Sequence, residues 1–320
     1  MRETDYATAV ARVRANENYL LSTGDIDRLI AAKESAEAVS LLQEKGFLKA
    51  GEEINEALSN FTEKAVSLIR EIAPKSDEFD FLIIKNDFHN LKAILKGIVT
   101  GVSFEKFLIR PNVTSPELIE IAVKEQNFDI LPKYMAKVAK NAYNYFVTTS
   151  DGQLSDLCID KGSLEAVIKL SSENDNKFIK DLGEEIAALS NIRIAVRGAK
   201  TKQSEKVLDE AICETKTVSK SSLISSALES VDAVADYILT TKYSASGEAL
   251  KNSVSDFEKW CDNALIDYVS SARYSCFGPA PLAAYIIRCE AMQKTVRIIL
   301  SAKETGLDEN VIKQRVRNVF

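Results

Sequence analysis

The 320-residue sequence predicts an all-α fold, and three observations carry that expectation. Apolar residues recur at spacings of three and four almost from end to end, the period of an amphipathic helix. Only twelve Gly and six Pro punctuate the chain, few for the many tight turns of a strand-rich fold. No segment alternates apolar and polar residues between turn signals, as a half-buried strand would.

The elements follow in order. Tyr6, Val10, Val13, Glu17, Leu20 and Leu21 open the pattern, with Glu17 its one polar member, and predict a first helix across that span. Ile54, Ala57, Leu58, Phe61, Ala65, Leu68, Ile69 and Ile72 predict a second helix. Pro74 stops it, because proline lacks the amide that would continue the ladder. Leu82 to Ile98 predicts another. Ser115-Pro116-Glu117 is a helix start, with Ser as N-cap, Pro at the first position and Glu at the positive end of the dipole. Long helices are expected over 131–148, 174–200, 245–271 and 281–304.

One string returns. Asn90-Leu-Lys-Ala-Ile-Leu-Lys-Gly97 is echoed by Asn191-Ile-Arg-Ile-Ala-Val-Arg-Gly198, and again by Thr295-Val-Arg-Ile-Ile-Leu-Ser-Ala302. The copies are 101 and 104 residues apart, about a third of the chain each time. The pairs Leu29-Ile30, Leu118-Ile119 and Leu223-Ile224 precede them by 61, 73 and 72 residues, each expected to open a short helix. Matching order and spacing predict three helical units, 1–114, 115–218 and 219–320.

The octets have a geometry. Leu91, Ile94, Leu95 and Ile98 share one helical face, as do Ile192, Ala195, Val196 and Ala199; Val296, Ile299 and Leu300 repeat it. That stripe is expected to bury against neighbouring helices. Lys92 and Lys96, then Arg193 and Arg197, are i,i+4 pairs on another face, with Arg297 their one basic counterpart in the third copy. Two readings stand for these five residues. One is a solvated face with carboxylate neighbours; the other is a set of basic side chains facing a partner.

The rest of the composition excludes more than it selects. A net charge of −6 disfavours a general grip on nucleic acid or on anionic lipid. Five scattered Cys (158, 213, 261, 276 and 289), with no C-x-x-C pair, read as reduced thiols. The polar start Met-Arg-Glu-Thr-Asp-Tyr is not a signal peptide, and no stretch approaches the ~20 apolar residues of a membrane span. A soluble protein is therefore expected, one that reaches a membrane only through a partner. His89 is the single histidine, which leaves no histidine triad and no histidine-rich metal site. Gly198-Ala-Lys-Thr201 lacks the full phosphate-loop pattern and follows a helix, not a strand. Gly97-Ile-Val-Thr-Gly101 reads as a helix exit. Glu52-Glu53 and Glu184-Glu185 are adjacent carboxylates at different azimuths, not an acid/base pair. Trp260, Tyr134, Tyr143 and Tyr145 read as packing residues. No catalytic, metal-ligating or cofactor-binding residue is singled out.

Two segments and the octets together carry a family likeness. Gly278-Pro-Ala-Pro-Leu-Ala-Ala-Tyr-Ile-Ile-Arg288, Glu290, the third octet, Gly306-Leu307 and a terminal short helix resemble the C-terminus of the C-subunit family of V/A-type ATPases. That family is the counterpart of the d subunit of eukaryotic V-ATPases. Tyr6, Ala11-Arg-Val-Arg-Ala15, Glu17 and Leu20-Leu21 resemble its N-terminus, and the octets resemble its internal repeats. The resemblance implies a funnel of three similar helical domains about a pseudo-threefold axis. It implies a non-catalytic rotor part of the central stalk, without cofactors, between the D and F shaft subunits and the membrane proteolipid ring. Proton or sodium transport and ATP hydrolysis would belong to other subunits. The location implied is peripheral, on the cytoplasmic face, with attachment through the ring. The alternative is an unrelated helical-repeat scaffold or adaptor; solenoid units of roughly 34–47 residues argue against it, since these repeats span about a hundred. A metal-dependent helical enzyme would want carboxylates clustered on one helical face, and the sequence has no such cluster.

Overall fold

The computed structural model describes residues 2–49, 51–149 and 152–319, and no strand occurs among them. Sixteen α-helices are described: α1 Ala7–Glu17, α2 Thr23–Ala31, α3 Ser35–Glu44, α4 Ile54–Ile72, α5 Ile84–Thr100, α6 Pro116–Lys124, α7 Lys133–Thr149 and α8 Gly152–Ser172. They continue as α9 Lys177–Thr201, α10 Glu205–Ala211, α11 Lys220–Glu229, α12 Val231–Leu239, α13 Ser244–Asn252, α14 Val254–Ser270, α15 Ala280–Glu304 and α16 Glu309–Arg315. Short 3₁₀ turns lie between several of them. The all-α reading holds.

Several boundaries depart from the sequence expectation. The first helix ends at Glu17, so Leu20 and Leu21 are buried from a connecting turn and not from a helical face. Ser22 then starts α2: its hydroxyl accepts from the Asp25 amide, and the Asp25 carboxylate accepts from the Ser22 amide, a reciprocal capping box. Leu29-Ile30 therefore closes α2, whereas Leu118-Ile119 and Leu223-Ile224 lie in the first turns of α6 and α11. The expected helix over 245–271 is two helices. Ser253 leaves helical space at φ −164°, ψ 156° and caps α14 by accepting from the Asp256 amide at 3.0 Å. A serine oxygen offered to free amides competes with the helix that periodicity alone would extend.

The described residues divide into two compact units, Met1–Asp77 with Glu258–Phe320, and Glu78–Phe257. In the first, α15 is the central helix and packs on α4, α1, α3, α2 and α16. Its first eight residues, Ala280 to Ile287, are all buried. A helix apolar all round belongs inside a bundle, and each fully buried Leu or Ile contributes about 1.5–3 kcal/mol. Pro281 sits within its first turn, where a missing amide costs nothing. Lys303, in the last turn of α15, donates to the carbonyls of Ile30 and Ala32 and so closes the C-terminal end of α2. In the second unit, α5 packs on α6, α7 and α8, and α9 packs on α8, α11, α12 and α10.

The three octets lie at the C-terminal ends of α5, α9 and α15, and these helices end alike. Four residues past each octet the backbone turns left-handed, at Gly101 (φ 72°), Lys202 (φ 52°) and Gly306 (φ 68°). The next amide then reaches back to the last octet carbonyl: Val102 to Gly97 at 3.1 Å, Gln203 to Gly198 at 2.9 Å and Leu307 to Ala302 at 3.0 Å. This is the Schellman closure, which satisfies carbonyls the helix end leaves open. The helix exit expected at Gly97–Gly101 is thus one of three.

Candidate functional site

The octet helices α5, α9 and α15 carry the repeated strings and all five basic residues singled out in them. On α5, Leu91, Ile94 and Leu95 are fully buried; Ile192, Ala195 and Val196 match them on α9, and Val296, Ile299 and Leu300 on α15. Ile98 and Ala199, expected on the same stripes, are only half-buried at its edge.

The stripe is locked in register by a polar contact. The Asn90 side chain accepts from the Ile109 amide at 2.9 Å and donates to the Ile109 carbonyl at 3.0 Å. Asn191 does the same with Cys213, at 3.1 Å and 2.7 Å. Both asparagines are completely buried. A primary amide offers a donor and an acceptor side by side, and so matches the backbone amide and carbonyl of one residue in a passing segment. Thr295, in the third copy, is equally buried, but its hydroxyl has no partner among the described residues.

A second contact repeats beside the first. The buried Asp87 carboxylate accepts from the Val113 and Thr114 amides at 2.9 and 2.7 Å. Glu184 accepts from the Lys216 and Thr217 amides at 2.6 and 3.0 Å. Each threonine hydroxyl also lies beside a tyrosine hydroxyl, Thr114 at 3.3 Å from Tyr134 and Thr217 at 3.2 Å from Tyr243. Burial pushes the Tyr134 phenol up to about 12 and raises Tyr243 further. These tyrosines are braces, not acids. Glu185, next to Glu184, points elsewhere and accepts from Lys242 at 2.5 Å and Tyr243 at 3.1 Å. The two adjacent carboxylates thus serve different connecting segments, before α11 and before α13, as their azimuths imply.

The basic face divides in two. Lys92 meets Asp160 at 2.6 Å and Lys96 meets Asp156 at 2.6 Å, a two-rung ladder from α5 to α8. Arg193 is half-buried on α9, while Arg197 on α9 and Arg297 on α15 are exposed. Neither Arg197 nor Arg297 forms a salt bridge among the described residues. The lysines therefore bind their own chain, and the outer arginines face solvent.

The two ends of the chain share a half-buried ionic cluster. The Glu17 carboxylate accepts from Arg14 at 2.9 Å and from Arg288 at 2.7 Å. Arg14 also donates to the Ala272 and Arg273 carbonyls, each at 2.9 Å. Burial lowers the pKa of the Arg288 guanidinium, against the pull of Glu17 beside it. The one polar member of the first apolar stripe is therefore the counter-charge of the last long helix.

Elsewhere the chemistry is quiet. His89 is exposed, with Nε2 3.0 Å from the Phe107 carbonyl oxygen. None of the five cysteines is in a disulfide. Burial pushes the Cys158 and Cys213 thiols up to about 11 and Cys289 to about 12. Tyr134 stacks near Phe88 and Tyr143 near Phe128, at 6.3 and 5.6 Å between ring centres. Among the described residues no three His, Cys, Asp or Glu side chains are grouped to hold a metal ion. No described helix is long and apolar enough to cross a membrane.

The family model described as ATP synthase (C/AC39) subunit matches residues 9–315. The chain belongs to this family. A curated relative is the C subunit of the V-type sodium ATPase of Enterococcus hirae, 25% identical over 273 residues, which cover 82% of this chain and 81% of that protein. In this member of the C/AC39 family the match takes in all three octet helices and the Glu17–Arg288 cluster. The octet asparagines, which open the repeated strings, are the residues whose role the sequence reading missed. The signal was present: Asn begins two copies, and Thr stands in its place in the third.

Proposed function

We propose that this chain is a non-catalytic central-stalk rotor subunit of a V/A-type rotary ATPase, coupling the D and F shaft subunits to the proteolipid ring that carries protons or sodium ions. The observation that carries the reading is the family match across residues 9–315. The chemistry supports it: buried carboxylates and tyrosines are spent on braces, and burial raises the pKa of the Cys158, Cys213 and Cys289 thiols. A coupling part needs a stiff body, and close-packed helices with locked registers supply stiffness. Attachment through the ring accounts for a peripheral site on the cytoplasmic face.

The division into units 1–114, 115–218 and 219–320, arranged as a pseudo-threefold funnel, belongs to this reading. The common Schellman endings of the octet helices support the repeat behind it. The partner-facing role of Lys92, Lys96, Arg193, Arg197 and Arg297 belongs to this reading too, now weighted toward the exposed Arg197 and Arg297, because both lysines have carboxylates of their own chain.

Two measurements test the reading. Purification of the tagged chain from membranes should recover proteolipid and shaft subunits, and deletion of the chain should uncouple ATP hydrolysis from ion transport. A fully assembled, torque-coupled complex from the deletion strain would refute it. Arg193→Glu with Arg197→Glu should weaken shaft binding about tenfold, more so at low salt. Unchanged affinity in a folded variant returns the basic face to solvent.

A further inference from the structure

Between α10 and α11 lies an open groove of about 360 Å³, lined by Glu205, Asp209, Glu214, Lys220, Ile224 and Leu228, among others. Its polar wall already binds ammonium groups. Lys220 meets the Asp209 carboxylate at 2.8 Å, and Lys220 and Lys161 both donate to the Asp209 carbonyl, at 2.9 and 3.1 Å. The hydrogen bond from Lys220 holds the Asp209 carboxyl below its usual range. Glu205 and Glu214 are exposed and form no salt bridge among the described residues, which leaves two carboxylates open at the rim. The α11 side adds Ser221 and Ser225 and two apolar side chains, Ile224 and Leu228. Ile224 is buried, whereas Leu228, one turn further along α11, is 47% exposed. An exposed leucine beside two open carboxylates, in a concave setting, is a surface of mixed character.

We propose that this groove receives a basic, apolar-bearing helical segment of another subunit of the ATPase, with Lys or Arg side chains on Glu205 and Glu214 and an apolar side chain against Ile224 and Leu228. Charge complementarity selects the partner's sign, since a phosphate-bearing ligand or an anionic membrane would be repelled. The leucine selects a protein segment over a small polyamine, which has no side chain to cover it. The spacing of the partner's anchors would be that of one helix face, i and i+3 or i+4. The proposal rests on the assembly of this chain into a rotary ATPase.

The test places a photo-crosslinking residue, Leu228→benzoylphenylalanine, in the full chain within the purified membrane complex. The expected adduct joins one segment of another subunit that carries at least two Lys or Arg and apolar residues at helical spacing. Glu205→Gln with Glu214→Gln should cut the adduct yield about tenfold, and added salt should cut it similarly. All three positions are exposed or at the rim, and an unchanged melting temperature verifies the fold. An adduct to an acidic or neutral segment, an adduct only to a second copy of this chain, or a yield indifferent to both glutamates would overturn the proposal. Absence of the chain from the complex would overturn the functional reading as well; its presence there without a Leu228 adduct would overturn the groove alone.

Discussion

Asn90 and Asn191 hold a great deal with few atoms. Each is fully buried and satisfies one donor and one acceptor of a segment about twenty residues further on. Asn90→Ala or Asn191→Ala should cost about 2–4 kcal/mol in urea unfolding, because a buried amide and carbonyl lose their partners together. Thr295→Val should cost about nothing, since its buried hydroxyl has no partner to lose. A large loss at Thr295 would show that the third position is braced as the others are. Asp25 offers a pH test. Burial would raise its pKa, but Lys45 at 2.7 Å and the Ser22 hydroxyl and amide outweigh that and bring it down to about 2. A carboxyl lowered in the folded state adds stability above its ordinary pKa and loses it as pH falls toward the folded value. Asp25→Asn should therefore cost about 1 kcal/mol at pH 7, and the gap from wild type should close between about pH 4 and pH 2. A gap constant with pH would mean that shape, not charge, is what the variant removes. The sequence pointed to none of these partners. Asn90 and Asp25 are ordinary polar residues until the fold brings a backbone amide and carbonyl or a lysine to them.

At the level of elements, the helix ends were the less legible half. Helix interiors follow from apolar spacing, and α4, α7, α9 and α15 lie within about three residues of the expected spans. Ends depend on single residues that leave helical space, as Ser253 does between α13 and α14. The repeated Schellman closures give a further prediction. Lys202 adopts the left-handed conformation that glycine occupies at Gly101 and Gly306, against the Cβ strain that conformation carries. Lys202→Gly should stabilise the chain by up to about 1 kcal/mol, whereas Gly101→Ala and Gly306→Ala should each cost about that much. Thermal unfolding of the three variants reads the difference. A destabilised Lys202→Gly would mean that the lysine side chain contributes more than the strain removes.

At the scale of the whole molecule, the N-terminal helices and the last long helix belong to one compact unit. α15 packs on α1, α2, α3 and α4, and Glu17 neutralises Arg288 across the two chain ends. Removing α1–α3 should expose α15, so that amides in 280–304 exchange at least about tenfold faster, while α5 and α9 keep their protection. Hydrogen exchange with mass spectrometry measures both at once; undisturbed protection of α15 would mean that its cover comes from elsewhere. What the sequence by itself determined is the class of the protein: a continuous three-and-four apolar period permits only helices, and a string returning at about a third of the chain marks a repeat. It also marked the family, through the order of its end motifs and octets. What only the tertiary structure decided is which residues complete one another. Periodicity is a local property, set by side chains a few positions apart. The Asn90 brace, the Lys92 and Lys96 ladder to α8 and the joining of Glu17 to Arg288 are contacts between segments tens to hundreds of residues apart, and they exist only once packing has chosen the neighbours.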